Sequence, residues 1–341
     1  DLRHLEQEIL AGLKKIGDRQ VPLDSVSCDS WGVDYVFLPN DGSPARDPLC
    51  YRDVRNERAY PKVLQKVGRD RIFQRTGLQF MPFNTLFQAA ADGFECRPEM
   101  PKAKSILLIA DYVNYFLGGR PAAEVSLAST TQFYDPRKRE WARDLLDEVG
   151  FPTRLLPEIV PSGARLGKIS PTIANSTGIQ STCEVVASCS HDTAAAVAAT
   201  PAQGKDWAYL SSGTWSLLGV ERPEPMLTPD CLRLALTNEV GYDHTIRLLK
   251  NIAGLWLVQE CRRDFASQGR DMDYATLTRL AGEAKPLATL LDPFLSIWNA
   301  PGKMTSRIAD YAKTTGQGSD LFGKLGDGVP GGFGIPHSPD G

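Results

Sequence analysis

The stretch that decides the fold is Val185-Val186-Ala187-Ser188-Cys189-Ser190-His191-Asp192-Thr193. The run 185–190 predicts a buried strand, and the small residues over 193–199 predict a helix. An Asp between a strand and a helix N-terminus is placed to act on a bound substrate, because the free amides of the first turn can hold an anionic group beside it. Asp192 is therefore the first catalytic candidate, as a general base for a hydroxyl.

Asp192 and His191 each have a simpler interpretation. Asp is a preferred N-cap residue, so Asp192 is equally well explained as the cap of the predicted helix. His191 either donates a hydrogen bond to a polyol substrate or is a packed imidazole whose nitrogens have partners. The spacing of the residues leaves these alternatives open.

A second candidate element, Ser211-Ser212-Gly213-Thr214-Trp215-Ser216, lies in a predicted hairpin over residues 207–220. Its small residues let backbone amides approach phosphate oxygens closely. The alternative is an ordinary tight turn in a sheet. One carboxylate beside one phosphate cradle indicates phosphoryl transfer to a hydroxyl.

A third candidate element, Cys28-Asp29-Ser30-Trp31-Gly32-Val33-Asp34-Tyr35, combines carboxylates with a Trp beside a Gly. Carboxylates accept hydrogen bonds from sugar hydroxyls, and an aromatic face covers sugar C–H groups. The alternative is a hairpin with a core Trp. Strands are predicted over 25–30 and 33–38, with a turn at Trp31-Gly32, and Asn40-Asp41-Gly42 is predicted to close a hairpin.

The rest of the chain predicts an α/β protein. Apolar periodicity and turn residues predict the helices 2–17, 57–67, 84–91 (with Asn84 as N-cap), 106–116, 141–149 and 246–265. Residues 152–178 are expected to be an irregular connection with short strands, and a domain boundary is expected near 185–190. The Gly-rich tail 318–341 is expected to be disordered.

Composition excludes several classes of protein. A length of 341 residues is enough for two domains, and a net charge of −3 with no basic run disfavours a nucleic-acid partner. The sequence has no apolar stretch near the ~20 residues that span a bilayer, and it has no leader, so a cytoplasmic protein is expected. The seven cysteines form no C-x-x-C pair and the four histidines are scattered, so no protein-held metal is predicted.

Together these segments resemble the FGGY family of carbohydrate kinases, and the resemblance covers about residues 1–317. The segments that carry it are Asp29–Tyr35, Tyr51–Arg55, Gly77–Leu86, Thr130–Gln132, Ser190–Ala194, Tyr209–Ser216, Leu236–Glu239 and Lys250–Trp256.

The resemblance implies an actin-like, ribonuclease-H-like α/β fold in which two domains close on a cleft. The implied domains are 1–187 and 188–317, followed by the tail. The implied reaction, in rhamnose catabolism, transfers the γ-phosphoryl group of ATP to the 1-hydroxyl of L-rhamnulose, with Mg²⁺ held mainly by phosphates and water. By family pattern, the base is Asp192, the sugar contacts are Gly32, His191, Thr193 and Asn251, and the ATP contacts are Thr214 and Gln259.

The sequence departs from the family pattern at both ends and at one internal position. The chain begins after the Asp-x-Gly-x-[Ser/Thr]-[Ser/Thr] turn that grips ATP phosphates, nothing after Gln317 resembles the adenosine-binding segment, and Val240 replaces the usual Gly. We therefore expect a fragment with both domains incomplete and with weak or absent kinase activity. The alternatives are a kinase of another ketose, fuculose or xylulose, or a non-catalytic sugar-binding remnant. The sequence does not predict an oligomeric state.

Overall fold

The chain was analysed as a computed structural model that describes residues 1–317 apart from 42, 44, 205 and 299. These residues fall into two compact units. The first contains Asp1–Tyr209 and Leu218–Lys250, and the second contains Leu210–Leu217 and the chain from Asn251 onward. The predicted disordered tail, 318–341, lies outside the described residues, and so does Gly42 of the predicted turn.

Helices and strands alternate along most of the chain. The helices are α1 (Leu2–Asp18), α2 (Arg55–Val67), α3 (Arg69–Thr76), α4 (Thr85–Phe94), α5 (Ile109–Leu117), α6 (Val125–Ala128), α7 (Arg143–Val149), α8 (Pro171–Thr177), α9 (Asp192–Ala198), α10 (Pro229–Arg233), α11 (Trp256–Ser267), α12 (Tyr274–Glu283) and α13 (Met304–Thr314). Short 3₁₀ turns cover Met100–Lys102, Ser129–Thr131, Thr153–Leu155, Tyr242–His244 and Ser296–Trp298.

The strands are mostly short. They are β1 (Ser25–Val26), β2 (Tyr35–Pro39), β3 (Ala103–Leu108), β4 (Ala123–Glu124), β5 (Tyr134–Asp135), β6 (Glu140–Trp141), β7 (Ile159–Val160), β8 (Ala164–Lys168), β9 (Glu184–Ala187), β10 (Tyr209–Ser212), β11 (Trp215–Arg222), β12 (Thr237–Val240) and β13 (Ile246–Ala253). One sheet has the order β1-β9-β8 and another the order β10-β11-β13-β12. The pairs β2-β3, β4-β7 and β5-β6 complete the pairings of the described strands.

In the first unit, β9 occupies the centre of its sheet and leads directly to the candidate catalytic residue. It runs parallel to β1 and antiparallel to β8. Val185 and Ala187 of β9 are completely buried, in a core that also receives Leu13 of α1 and Ile173 of α8. The predicted strand over 185–190 is therefore real but ends at Ala187, where extended chain leads on to α9.

The predicted hairpin around Trp31-Gly32 is wrong. Strand β1 pairs in parallel with β9, and β2 pairs antiparallel with β3, so the two predicted arms belong to different sheets. The chain after β2 likewise does not return as a neighbouring strand at residues 40–42, because the partner β3 begins only at Ala103. Turn chemistry is local, whereas strand pairing here is decided by contacts distant in sequence.

Two predicted helices each prove to be a strand followed by a helix. Residues 106–116 divide into the end of β3 and α5, and residues 246–265 divide into β13 and α11. Strand β13 pairs antiparallel with β12 along its first half, from Val240 opposite Ile246 to Thr237 opposite Leu249. Apolar runs that are buried on all sides carry no clear period, so spacing alone cannot separate the two structures.

The remaining helix predictions are confirmed, with shifted ends. Helices α1, α2, α4 and α7 correspond to the predicted segments 2–17, 57–67, 84–91 and 141–149. Asn84 precedes α4 as predicted, but its side chain makes no capping bond and donates instead to the carbonyl oxygen of Gln79, at 2.8 Å. The irregular connection over 152–178 contains the short strands that were predicted and, in addition, helix α8.

The second unit has its own small apolar core. Trp298, Met304 and Ile308 are buried there, and Trp256 and Tyr311 pack against them. Strands β10 and β11 are neighbours in one sheet and are joined by Gly213 and Thr214, which confirms the predicted hairpin over 207–220. The turn between them belongs to the second unit. In the part of the chain that the structure describes, no helix combines the length and apolar character needed to cross a membrane.

Candidate functional site

The chain from β9 to α9 is fixed by the strand-like segment that contains Ser30. Ser30 forms a parallel bridge with His191, and its amide donates to the carbonyl oxygen of Ser190 at 2.9 Å. The amide of Asp192 donates in turn to the carbonyl oxygen of Ser30, also at 2.9 Å. The loop that carries Gly32 and the predicted catalytic segment therefore lie next to each other.

The carboxylate of Asp192 is available to a ligand. Asp192 is the first residue of α9, and His191 occupies the N-cap position, so the interpretation of Asp192 as the cap residue is wrong. Its Oδ1 accepts hydrogen bonds from the amide and hydroxyl of Thr193, at 2.6 and 3.2 Å, and the side chain is 56% exposed. A carboxylate held on one oxygen and open on the other can accept a proton from a substrate hydroxyl.

His191 lies with one ring edge towards Asp192 and the other against a buried ion pair. Its Nε2 is 3.5 Å from Oδ1 of Asp192, and its Nδ1 is 3.1 Å from Nη2 of Arg247 and 3.3 Å from Oε2 of Glu239. Arg247 donates to Glu239 at 3.0 Å. Burial raises the pKa of the Glu239 carboxyl, but opposing interactions, of which the charge of Arg247 is the largest, hold it below its usual value.

The backbone of the same segment is held by a buried carboxylate that the sequence did not reveal. Oε2 of Glu124 accepts from the amide of Ser190 at 3.0 Å, and the hydroxyl of Ser126 accepts from the amide of His191 at 3.2 Å. The Glu124 carboxylate also caps the short helix α6 through the amides of Ser126 and Leu127. No periodicity marks Glu124, and Glu is not among the preferred N-cap residues, so the local sequence gave no signal for this role.

A second buried carboxyl accompanies Glu124. Oδ1 of Asp111 accepts from the amide of Glu124 at 3.0 Å, and the Asp111 side chain is almost fully buried. Burial, followed by the charge of Glu124, raises the pKa of Asp111 well above its ordinary value. Of these two carboxyls, it is Glu124 that receives the hydrogen bond from the Ser190 amide.

Gly32 makes a close approach to the side chain of Thr130. A Cβ at Gly32 would lie 2.9 Å from the Thr130 hydroxyl oxygen, which donates to the carbonyl oxygen of Leu127. The next residue, Val33, has a φ of 71°, which is unfavourable for a β-branched residue. Two predicted motifs, the Trp31-Gly32 loop and Thr130-Thr131-Gln132, thus meet in the first unit.

Asp34 accepts a hydrogen bond from Trp31 of the same loop. The indole of Trp31 donates to its Oδ2 at 2.9 Å, and the Trp31 ring is 45% exposed, so it is not the core Trp of the alternative interpretation. Burial raises the pKa of Asp34 to about 6, although the Trp31 hydrogen bond opposes the shift. The Trp31 side chain is therefore accessible to solvent, and its contact with sugar C–H groups stays a prediction.

The motif that contains Glu239 is tied to a further predicted motif. The side chain of Asn238 donates to the carbonyl oxygen of Gly77 at 2.9 Å and accepts from the amide of Met226 at 2.7 Å. A Cβ at Gly77 would lie 3.1 Å from the Asn238 side chain, and the φ of 69° also favours glycine there. The hydrogen bond to Gly77 joins segments that are 161 residues apart in the chain.

The predicted phosphate turn lies in the second unit and is held by main-chain bonds. The amides of Leu255 and Trp256 donate to the carbonyl oxygens of Gly213 and Thr214, at 2.9 and 3.1 Å. A Cβ at Gly254 would lie 2.7 Å from the carbonyl oxygen of Gly213. The turn and the start of α11 therefore form one packed element.

The two predicted ATP contacts come together in that element. The Gln259 amide nitrogen donates to the hydroxyl of Thr214 at 3.4 Å, and Thr214 is exposed. Asn251, predicted to contact the sugar, belongs to the same unit as these two residues, whereas Gly32, His191, Asp192 and Thr193 belong to the other.

A broad surface groove of about 840 Å³ lies elsewhere in the first unit. Arg75, Lys138, Trp141 and Glu158 are among its lining residues, and none of the predicted site residues contributes to it. The groove is therefore separate from the candidate site around Asp192.

Comparison with known proteins gives two adjoining family matches. Residues 5–199 match the family model described as "FGGY family of carbohydrate kinases, N-terminal domain", and residues 208–321 match the corresponding C-terminal domain. Together the matches cover most of the chain.

Curated relatives are similar over nearly the whole of this chain. The chain is 41% identical over 318 residues to the rhamnulokinase of Pectobacterium carotovorum subsp. carotovorum (strain PC1), covering 93% of this chain and 62% of that protein. It is 35% identical over 317 residues to the rhamnulokinase of Bacteroides thetaiotaomicron, covering 93% and 64%. The chain thus spans less than two thirds of the length of these relatives.

Solved structures are similar in fold at low sequence identity. The ligand-bound xylulose kinase from Lactobacillus acidophilus has a TM-score of 0.72 at 14% identity, covering 84% of this chain and 58% of that one. Plasmodium falciparum glycerol kinase with ADP has a TM-score of 0.62 at 14% identity, covering 79% and 56%.

Proposed function

Because this chain belongs to the FGGY family of carbohydrate kinases, with the two-domain α/β fold of that family, we propose that it carries the sugar-phosphorylating chemistry of a rhamnulokinase. The proposed reaction transfers the γ-phosphoryl group of MgATP to the 1-hydroxyl of L-rhamnulose and yields L-rhamnulose 1-phosphate and ADP. The observation that carries this proposal is the exposed Asp192 carboxylate at the start of α9, beside the ring of His191.

The role proposed for Asp192 is that of a general base. As the sugar oxygen bonds to the γ-phosphorus and the bond from phosphorus to the bridging oxygen of ADP breaks, the hydroxyl proton passes to the Asp192 carboxylate. The Thr193 amide and hydroxyl stay on Oδ1 and fix the carboxylate orientation. Because phosphoryl transfer depends mainly on positioning and electrostatics, this orientation matters as much as basicity.

The sugar contacts proposed are Gly32, His191, Thr193 and Asn251, and the ATP contacts are Thr214 and Gln259. The close approach of Gly32 to Thr130 and the hydrogen bond between Gln259 and Thr214 support these assignments. Among the described residues, no group of three or more His, Cys, Asp or Glu side chains could hold a metal ion. Mg²⁺ is proposed as part of the MgATP substrate, where phosphate oxygens and water are its ligands.

The domain limits and the location remain part of the proposal. We propose a sugar-binding domain over 1–187 and a second domain over 188–317. The two family matches support a division into two domains, but their junction lies between residues 199 and 208, after the proposed limit, and the first compact unit runs to Tyr209. A cytoplasmic location is proposed because all seven cysteines are free, two of them, Cys50 and Cys96, at exposed positions.

The test is an ADP-release assay with L-rhamnulose and MgATP, run on the wild-type chain, Asp192→Asn and the exposed control Asp206→Asn. We expect Asp192→Asn to lower turnover about 10²–10⁴-fold, the usual contribution of a general base, and the control to match the wild type. Titration calorimetry with L-rhamnulose should show that Asp192→Asn still binds the sugar.

The outcomes separate the competing functions. Turnover that survives in Asp192→Asn contradicts the role of that residue. Faster turnover with L-fuculose or D-xylulose than with L-rhamnulose indicates a kinase of another ketose. Sugar binding without phosphoryl transfer in the wild type favours a non-catalytic sugar-binding protein.

A further inference from the structure

The ring of His191 has its Nδ1 edge against two buried charged side chains. Arg247 is completely buried and Glu239 is 6% exposed, so water does not screen the contact. The two residues are direct partners across β12 and β13, so the sheet register places both side chains on the same face. The ion pair is therefore a fixed part of the wall behind His191.

The donors and acceptors in this contact determine which ring nitrogen carries the hydrogen. A guanidinium nitrogen can only donate, and Nη2 of Arg247 has two hydrogens. One is donated to Oε2 of Glu239 at 3.0 Å, and the other can reach Nδ1 of His191 at 3.1 Å. Oε2 of Glu239 is the farther neighbour of Nδ1, at 3.3 Å, and already accepts from Nη2. A hydrogen on Nδ1 would also face the hydrogens of the nearer guanidinium, so the contact favours a lone pair at Nδ1.

We propose that Arg247 and Glu239 are positioning residues that hold neutral His191 as the Nε2–H tautomer. The ring then presents a hydrogen-bond donor on the side of Asp192, whose Oδ1 is 3.5 Å from Nε2. Neither Arg247 nor Glu239 is required to touch a ligand in this arrangement.

The consequence for recognition rests on the proposed function. His191 and Asp192 are neighbours in the sequence, so the donor at Nε2 and the acceptor carboxylate can contact the same ligand. One oxygen of a ketose can accept from His191 while a hydroxyl of the same molecule donates to Asp192. The pair therefore selects a polyol with neighbouring oxygens and orients the reacting hydroxyl towards its base.

The buried ion pair is not explained well by stability alone. Replacing a buried ion pair by apolar residues of similar volume is often neutral or stabilising, so such a pair is weak evidence for a purely structural role. Nε and Nη1 of Arg247 also make no hydrogen bond among the described residues, which adds to the cost of burying the guanidinium. Control of the His191 tautomer gives the Arg247–Glu239 ion pair a role that stability alone does not.

The first test reads the tautomer directly and needs neither a ligand nor activity. The chain has four histidines, so a ¹⁵N-labelled sample gives few imidazole signals, and His191→Gln assigns the one that is lost. At pH 8 we expect Nε2 to be protonated and Nδ1 to be unprotonated. A protonated Nδ1 would overturn the proposal, because the ring would then donate to Glu239.

Two variants test whether the ion pair is responsible. The double variant Glu239→Leu/Arg247→Met removes both charges together and should leave His191 as a mixture of tautomers. The single variant Arg247→Lys keeps a cationic donor, so most of its His191 rings should remain in the Nε2–H form. A double variant that retains the wild-type tautomer, with an unchanged circular dichroism spectrum, would contradict the role of the pair.

The second test concerns the ligand and compares two substitutions at one position. The amide nitrogen of Gln extends to where Nε2 lies, whereas that of Asn extends only to the region of Nδ1. We therefore expect His191→Gln to bind L-rhamnulose about 2- to 10-fold more tightly than His191→Asn, the usual effect of one polar hydrogen bond. Equal losses would overturn the donor role.

The two tests distinguish failure of this proposal from failure of the proposed function. A wild-type chain that shows the Nε2–H tautomer but binds no L-rhamnulose contradicts the assigned sugar and leaves the tautomer assignment standing. A wild-type chain that binds the sugar but carries the Nδ1–H tautomer contradicts only the role proposed for Arg247 and Glu239, and leaves the proposed function standing.

Discussion

The segment from Ser190 to Thr193 and the turn from Gly213 to Ser216 were both expected to serve one reaction, yet they are held by different forces. The first depends on buried charged side chains, namely Glu124 under the backbone and the Arg247–Glu239 pair against His191. The second depends on main-chain hydrogen bonds and the close approach of a glycine.

This difference predicts different sensitivities. A buried charge loses its stabilising role when its partner is removed or when its protonation changes, so the first segment should respond to charge substitutions and pH. A turn packed through backbone atoms has no charge to titrate, so the second should respond to added volume. Each expectation can be tested within its own unit.

The largest effect is expected from removing one member of the buried ion pair. Glu239→Leu leaves the Arg247 guanidinium buried without a carboxylate and should lower the free energy of unfolding by about 3–5 kcal/mol. Urea denaturation followed by circular dichroism measures this. The double variant Glu239→Leu/Arg247→Met should recover most of the loss. A double variant as unstable as Glu239→Leu would show that packing, and not charge, is responsible.

The second effect is a pH dependence that originates at Asp34. Its folded pKa of about 6 lies above the ordinary 3.8, so its contribution to stability is complete below pH 3.8 and is lost as the pH rises through 6. A shift of this size corresponds to up to about 3 kcal/mol. Asp34→Asn cannot ionise, so it should gain stability relative to the wild type between pH 4 and pH 8.

The measurement for Asp34 is the urea midpoint at those two pH values. Asp29→Asn, at an exposed position five residues earlier, controls for the loss of one negative charge. Asp34→Asn and wild-type curves that stay parallel over this range would refute the assignment of the pH dependence to Asp34.

The third effect tests the turn of the second unit. Gly254→Ala places a methyl group 2.7 Å from the Gly213 carbonyl oxygen and 2.8 Å from the Ser216 amide nitrogen. Overpacking of this kind costs about 1–3 kcal/mol, and the displaced turn should weaken binding of MgATP. Gly282→Ala in α12 meets no atom within 4 Å and is the matched control. Titration calorimetry should find nucleotide binding weakened only in Gly254→Ala.

The smallest effect is expected at Gly32. The methyl group of Gly32→Ala meets the end of the Thr130 side chain, which can move, so we expect a cost of about 1 kcal/mol. Binding of L-rhamnulose should weaken by roughly 5-fold, and Thr130→Ala in the same chain should relieve the contact. Gly12→Ala, with no neighbour within 4 Å, is the control. Sugar binding that is unchanged in Gly32→Ala would remove Gly32 from the site.

Much of the fold could be predicted because its signals are local. The amphipathic period of α1, the turn residues between β10 and β11, and the passage from β9 to α9 were read from neighbouring residues alone. The family membership was equally accessible, since several motifs occur in one order along the chain.

The wrong predictions share one physical cause. The Trp31-Gly32 turn does not form a hairpin, because β1 and β2 find partners in different sheets. The start of β13 resembles a helix in sequence but is paired along β12. In both cases the local pattern was compatible with two structures, and contacts between distant residues selected one of them.

By itself, the sequence determined the class of the protein, the position of Asp192 between a strand and a helix, and the residue types around it. These follow from patterns within a few residues. Only the tertiary structure placed Glu124 under Ser190 and set Arg247 opposite Glu239 behind His191. The surroundings of a buried charge depend on residues that are distant in the chain, and no local pattern records which of them will meet.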